Sequence, residues 1–293
     1  MPVDPRSVPD FDDLPKVQGM RRSWGLFDKD GEKDLIGTLN FITPEAVKAI
    51  GSKVKDGVSI SLNLPLNAME KLDAIGRKKS KHTISFIPET MGYPERMKSW
   101  DDEVEFNTQA SSQWDSLCHV NHFGSGLAYN GFDLNKKDLA DPIFQTKFPT
   151  IEHWHSHGGI VARGVLLDYK AFAEETKVPF SAFGNNPIKV KDLEACAKHF
   201  GVEFCPGDIL IVRIGMTEVV NDPTEEDKKQ MKSGIMNGLD GCEETARWLW
   251  NKRFAAVASD GFGLELFPTR KDEMPKLSTY VENHSSKWQI LIF

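Results

Sequence analysis

Three short runs constrain what this chain folds into: GGIVARGVLLDY (158–169), PGDILIVRIG (206–215) and AAVASD (255–260). Their apolar stretches are short, and the first two are dense in Val, Ile and Leu, so they read as buried strands. Arg163-Gly164 interrupts the first run and marks a bulge or a close approach to the backbone. Between the first two runs, Leu193, Cys196, Ala197 and Phe200 form one stripe at helical spacing over residues 191–200. Gly201 stands ready to end that helix. A charged helix or lid, PTEEDKKQMKSG (223–234), follows the second run, with the glycines of SGIMNGLDG as its hinge, and then a helix over residues 243–252.

Earlier in the chain, Thr43-Pro44-Glu45 opens a helix with an N-cap, a proline at the first position and an acid for the dipole. GVSISLNLPL (57–66) and TISFIPE (83–89) alternate like strands, and the closing WQILIF is strand-like too. Residues 1–20, rich in Pro and Asp, read as an extended arm. No repeat, low-complexity tract or linker divides residues 21–293, so the expected architecture is one α/β domain with a mixed sheet.

The 293 residues are 40% hydrophobic and 27% charged, ordinary for a globular protein with a sizeable core. A net charge of -7 argues against nucleic acid or an anionic membrane as partner, because both need a basic face. No run approaches a membrane span, and the first residues lack the apolar core of a signal peptide, which predicts a cytoplasmic protein. The four cysteines are scattered with no CxxC, so they suggest neither a disulfide framework nor a zinc knuckle.

The densest chemistry lies in Gln109-Ala-Ser-Ser-Gln113-Trp114-Asp115-Ser-Leu-Cys118-His119. In an extended segment Gln109, Ser111, Gln113 and Asp115 share one face, and His119 follows a helical turn later. Cys118 and His119, as neighbours, point in different directions and do not pair, so Cys118 reads as a small buried side chain. HWHSH (153–157) places three imidazoles on one face of a strand, a candidate zinc site or a solvated segment. FDKDGEKDLIGTLN lacks the Gly and Glu of a calcium loop and reads as a surface turn. Asp260 and Glu265, in ASDGFGLELFP, follow a buried strand and are candidates for acid or base work. Leu264 and Leu266 flank Glu265 with apolar surface that raises its pKa.

The 109–119 motif resembles the signature of the cyclase-like metal hydrolases, His-x-Gly-Thr-His-x-Asp-x-x-x-His, a group that includes bacterial kynurenine formamidase, isatin hydrolase and a trans-dienelactone hydrolase. LIGTLNFITPEAV, YNG at 129–131, GGIVARGVLLDY, PGDILIVRIG and AAVASDGFGLELFP fall in the family's order over most of residues 24–268. The resemblance implies an α/β fold around a barrel-like mixed sheet, assembled as a homodimer or homotetramer. It also implies a divalent zinc or manganese ion that lowers the pKa of an attacking water. Asp115 and His119 match ligand positions, but Gln109 and Gln113 stand where two histidines belong, and a neutral amide is a poor substitute for imidazole. Downstream, Ser278 follows Leu277 where another histidine falls, and His284 fills the role only with a shifted alignment.

Three functions remain open from sequence. One is a hydrolase of a small cyclic amide, lactone or aryl formamide, with a metal on Asp115 and His119. Another is a metal-independent cyclase, dehydratase or isomerase using Asp115 and His119 as an acid–base pair. The last is a binding protein that keeps the fold without the chemistry. Gln109 and Gln113 suit holding a substrate carbonyl. Trp114, Phe123, Tyr129 and Phe132 suit a flat aromatic body, with Asn130 as a further polar contact.

Overall fold

The computed structural model describes residues 3–17, 20–72, 77–122, 125–143, 145–268 and 290–291. In chain order the strands are β1 (Lys16–Val17), β2 (Met20–Arg21), β3 (Lys81–Phe86), β4 (Trp100–Glu105), β5 (Gly164–Asp168), β6 (Ile209–Arg213), β7 (Ala256–Ser259) and β8 (Ile290–Leu291). The helices are α1 (Pro44–Ile50), α2 (Ile87–Met91), α3 (Lys136–Ala140), α4 (Glu152–Ser156) and α5 (Tyr169–Glu175), then α6 (Val190–Phe200), α7 (Met216–Asn221), α8 (Glu225–Ser233) and α9 (Glu243–Asn251). None of them is long and apolar enough to cross a membrane.

The three apolar runs become β5, β6 and β7, which pair in parallel. β8 adds antiparallel to β7, Ala258 opposite Ile290, so the sheet is mixed as the pattern predicts. Its order is β5-β6-β7-β8, and among the described residues it stays open at both edges rather than closing into a barrel. Closure needs more strands, each paired on both sides. Val165 and Leu167 of β5, Leu210 and Val212 of β6 and Val257 of β7 are buried in one continuous core. α6 packs on β5 and α9 with Leu193, Cys196 and Ala197 of the predicted stripe inward, while Phe200 at its end is exposed, and Gly201 at φ 64 closes it in the left-handed conformation. Arg163 is anchored by two hydrogen bonds to the Asp208 carboxylate, and a Cβ on Gly164 would press on Ile211 at 3.3 Å.

Local signals account for the helix ends. Thr43 caps α1 by accepting from the Ala46 amide. Thr224 and Asp227 form a reciprocal capping box on α8, and Gly234 ends it. The N-terminal arm is pinned rather than loose: Phe11 is buried and Arg253, itself buried, donates to the carbonyls of Pro5, Val8 and Pro9.

Two sequence expectations differ from the structure. HWHSH lies on α4, not on a strand, so the three imidazoles do not share a face; His153 lines one hollow while His155 is exposed. Residues 57–66 join no ladder among the described residues. Their alternation is strand-like, yet a strand needs an edge to pair with, and residues 64–65 are held instead by serine side chains.

Candidate active site

The motif is not a strand. Asn107 accepts from the Gln109 amide and starts a tight 3-10 turn over Thr108–Ala110. Ser111 Oγ donates to the carbonyls of Leu64 and Pro65, and Ser112 Oγ accepts from the Leu64 amide. Hydroxyls replace ladder bonds here, which turns Ser111 away from the site. Ser116 then opens a second turn, its Oγ taking the Cys118 amide and its carbonyl the His119 amide. The two turns fold Gln109, Asp115 and His119 onto one spot.

There, Gln109 Nε2 donates to Asp115 Oδ1 at 2.9 Å and lies 3.4 Å from His119 Nε2. A carboxylate only accepts, so the amide nitrogen, not its oxygen, faces Asp115. The same NH2 group meets His119 Nε2 as a lone pair, which leaves the ring proton on Nδ1, 3.7 Å from Asp115 Oδ1. Asp115 is 3% exposed and His119 30%, so the carboxylate is enclosed while the imidazole opens to a cleft of about 390 Å³. Gln113, Trp114 and Ser116 line this cleft with Asp115 and His119, and Trp114 is braced edge-on against buried Trp154 at 6.0 Å. His119 also borders a second hollow of about 580 Å³ with Leu134 and Leu139 on its wall. Cys118 lies beside it with its thiol pushed up to about 12 by burial, a poor nucleophile.

Arg77, Asn107, Thr108 and Ile151 complete the cleft, and sequence reasoning did not find them. Arg77 and Ile151 lie far from the motif along the chain, and the only signal was the basic run around Arg77.

The other candidates sit elsewhere. Asp260 accepts four hydrogen bonds, from the amides of Ile214, Gly215 and Thr217 and from Thr217 Oγ1. Its carboxylate joins the end of β7 to the first turn of α7, three of the four bonds converging on Oδ2. Tyr129 donates to Asp34, and Asn130 links Gly25 to Asp28. Both therefore organise the 25–34 turn, not the cleft. Phe123, Ser278 and His284 lie outside the described residues.

Glu265 is half-buried with Oε1 shut away from solvent and no hydrogen-bond partner for that atom. It does not line the cleft. Burial pushes its carboxyl up to about 8 from 4.5, so the neutral form is favoured in the fold. Below pH about 4.5 the group is neutral folded or unfolded and costs nothing; as pH rises through that value the unfolded chain ionises first, and stability falls until about 8. Glu265→Gln should therefore stabilise the protein by about 3 kcal/mol near pH 7 and flatten this slope. Thermal unfolding at pH values between about 5 and 8 measures it; identical slopes for both proteins would contradict the assignment.

The donor set does not fit the divalent ion that the sequence resemblance implies. Among the described residues no three His, Cys, Asp or Glu side chains converge. An amide NH2 also points into the space between carboxylate and imidazole, where a cation would have to sit.

The Cyclase family model matches residues 58–266, well over half of the chain. A crystal structure described as that of a novel cyclase superposes with a TM-score of 0.67 at 26% identity, covering 84% of this chain and 79% of that one. Isatin hydrolase A from Ralstonia solanacearum aligns at 12% identity with a TM-score of 0.48, over 85% of this chain and 84% of that one. No curated protein matches in sequence. The match spans the turns that bring Gln109, Asp115 and His119 together and the strands β5–β7, and the chain belongs to the cyclase family.

Proposed function

We propose that this chain is an enzyme that opens or closes a small ring at a carbonyl, a lactone or cyclic amide or the related aryl formamide, with His119 as general base and Asp115 orienting it. The observation that carries the reading is the Gln109 amide, which bridges Asp115 and His119 as a hydrogen-bond donor. It fixes the His119 tautomer with the proton on the Asp115 side and holds the basic nitrogen by its one lone pair, a 3.4 Å contact that water displaces when Nε2 acts as base.

In the hydrolytic direction, His119 Nε2 takes a proton from water as the water oxygen bonds to the carbonyl carbon. The ring C–O or C–N bond then breaks, and His119 returns the proton to the departing oxygen or nitrogen. Asp115 stabilises the imidazolium formed between the two transfers. Gln113 and Asn107 offer amide donors to the carbonyl oxygen, and Trp114 with Ile151 gives the ring an apolar wall. Ring closure with loss of water runs through the same proton transfers in reverse.

The test is a panel of five- and six-membered lactones, cyclic imides and aryl formamides, with products followed by NMR. Turnover of one class by the chelator-treated wild type, lost in Asp115→Ala, supports the reading. Turnover of none, with a retained ability to bind the same compounds, would favour the non-catalytic alternative.

A further inference from the structure

We propose that Arg77 is a specificity residue of the cleft and pairs with a carboxylate on the substrate, so that the ring handled there belongs to a small carboxylic acid. The inference rests on the cleft of Asp115 and His119 being the reacting site. Among the described residues that line it, Arg77 is the one lysine or arginine. The amides beside it are partly committed already: Asn107 Oδ1 takes the Gln109 backbone amide, and Gln109 Nε2 is held between Asp115 and His119.

Arg77 begins a basic run, Arg-Lys-Lys-Ser-Lys, and the other cations of that run have acids. Lys78 pairs with Glu105, Lys81 faces Glu105 across the β3–β4 ladder, and Lys79 acts on Glu70. Arg77 has none: it is exposed, and no hydrogen bond or ion pair holds it among the described residues. The chain has 43 acidic residues against 36 basic ones, so an arginine without an acid is not for want of carboxylates. Its position at the cleft suits a carboxylate that arrives from outside.

A guanidinium presents a planar fork of donors that matches the two oxygens of a carboxylate. Solvent screens the bare charge of an exposed side chain, so the fork supplies selectivity that charge alone does not. Asp115 repels an anion placed beside it. A substrate carboxylate is therefore drawn to Arg77 and away from Asp115, which orients the ring. Trp114 and Ile151 give that ring an apolar wall, and a cleft of about 390 Å³ is at the small end of ligand sites, room for one substituted ring.

Isothermal titration calorimetry on the full chain tests this with phthalan-4-carboxylate and phthalan-5-carboxylate against the matching carboxamides. The wild type should bind at least one acid about 10–100-fold more tightly than its amide, the range of a charge-assisted hydrogen-bonded pair. Arg77→Gln should erase that preference and leave amide binding within about 3-fold. Arg77→Lys, which keeps the charge but not the fork, should retain part of it. Lys79→Gln removes one charge from the same run outside the cleft and should change nothing. Acids that bind no better than their amides would overturn the proposal, and so would a preference that Arg77→Gln keeps. These rings carry no carbonyl to react, so the result stands apart from the reaction proposed above. Turnover in the lactone panel without an Arg77-dependent preference here sinks this inference alone, and the preference without turnover there sinks the reaction alone.

Discussion

His119→Ala is expected to lower kcat by about 10²–10⁴-fold with KM changed little, because the role proposed for the residue is proton transfer rather than holding substrate. The geometry sets the expectation: an imidazole at the mouth of the cleft, its Nε2 3.4 Å from the Gln109 amide and its Nδ1 3.7 Å from Asp115 Oδ1. Free imidazole in the assay should restore part of the lost rate, since the variant leaves a hole of matching shape beside an intact carboxylate. A role confined to structure gives no rescue. Gln109→Leu, which removes the donor but keeps the bulk, should cost less, about 10-fold or more, by freeing the ring to turn. The account fails if His119→Ala retains wild-type kcat on the substrate that the panel identifies.

Gly238→Ala is expected to be the most damaging single methyl in the molecule, with a loss of about 4 kcal/mol or more. Residues 236–239 run between two other segments. Ile188 donates to the Gly238 carbonyl on one side, while Leu239 exchanges backbone hydrogen bonds with Leu264 and Leu266 on the other. A Cβ on Gly238 would stand 2.3 Å from the carbonyl carbon of Glu265 and 2.5 Å from its oxygen. Both are backbone atoms, so no rotamer change relieves the overlap, and the three segments must separate. For a chain of this size the midpoint of thermal unfolding should drop by roughly 8–15 °C. Gly201→Ala is the useful contrast: φ is 64 but nothing lies within 4 Å of the added atom. Strain alone should cost about 1 kcal/mol there. Equal losses at the two glycines would show that backbone collision is not what makes Gly238 special.

The fold was legible where local pattern and burial agree. β5, β6 and β7 are short apolar runs that end up inside the core, and α1, α6 and α8 carry their own caps. TISFIPE was half right: β3 ends at Phe86 and Ile87-Pro88 begins a helix, with proline in its first turn. Residues 57–66 misled, because alternation reports a face and not a partner, and the described chain gives that face no edge to pair with. HWHSH misled for the converse reason. Three histidines at a spacing of two suggest a strand, but five residues are too few to distinguish periods of 2 and 3.6.

In the site, Gln109, Gln113, Trp114, Asp115 and His119 do meet in one cleft, although by two serine- and asparagine-led turns instead of a common strand face. What brings Arg77 and Ile151 there is tertiary, and no motif marks them. Asp260 could not be told from a catalytic acid in sequence, because a carboxylate at a strand end serves equally to gather the amides of the next helix. Glu265 is perturbed as its leucine neighbours suggested, yet the burial that perturbs it also removes it from the cleft.

The central claim is that Gln109 takes the place of a cation between Asp115 and His119. The direct measurement is kcat/KM of chelator-stripped protein during titration with zinc and then manganese, with bound metal counted by mass spectrometry in the same samples. The account predicts full activity before any metal is added and no gain that tracks occupancy. Activity absent after stripping and restored in proportion to one ion per chain would contradict it.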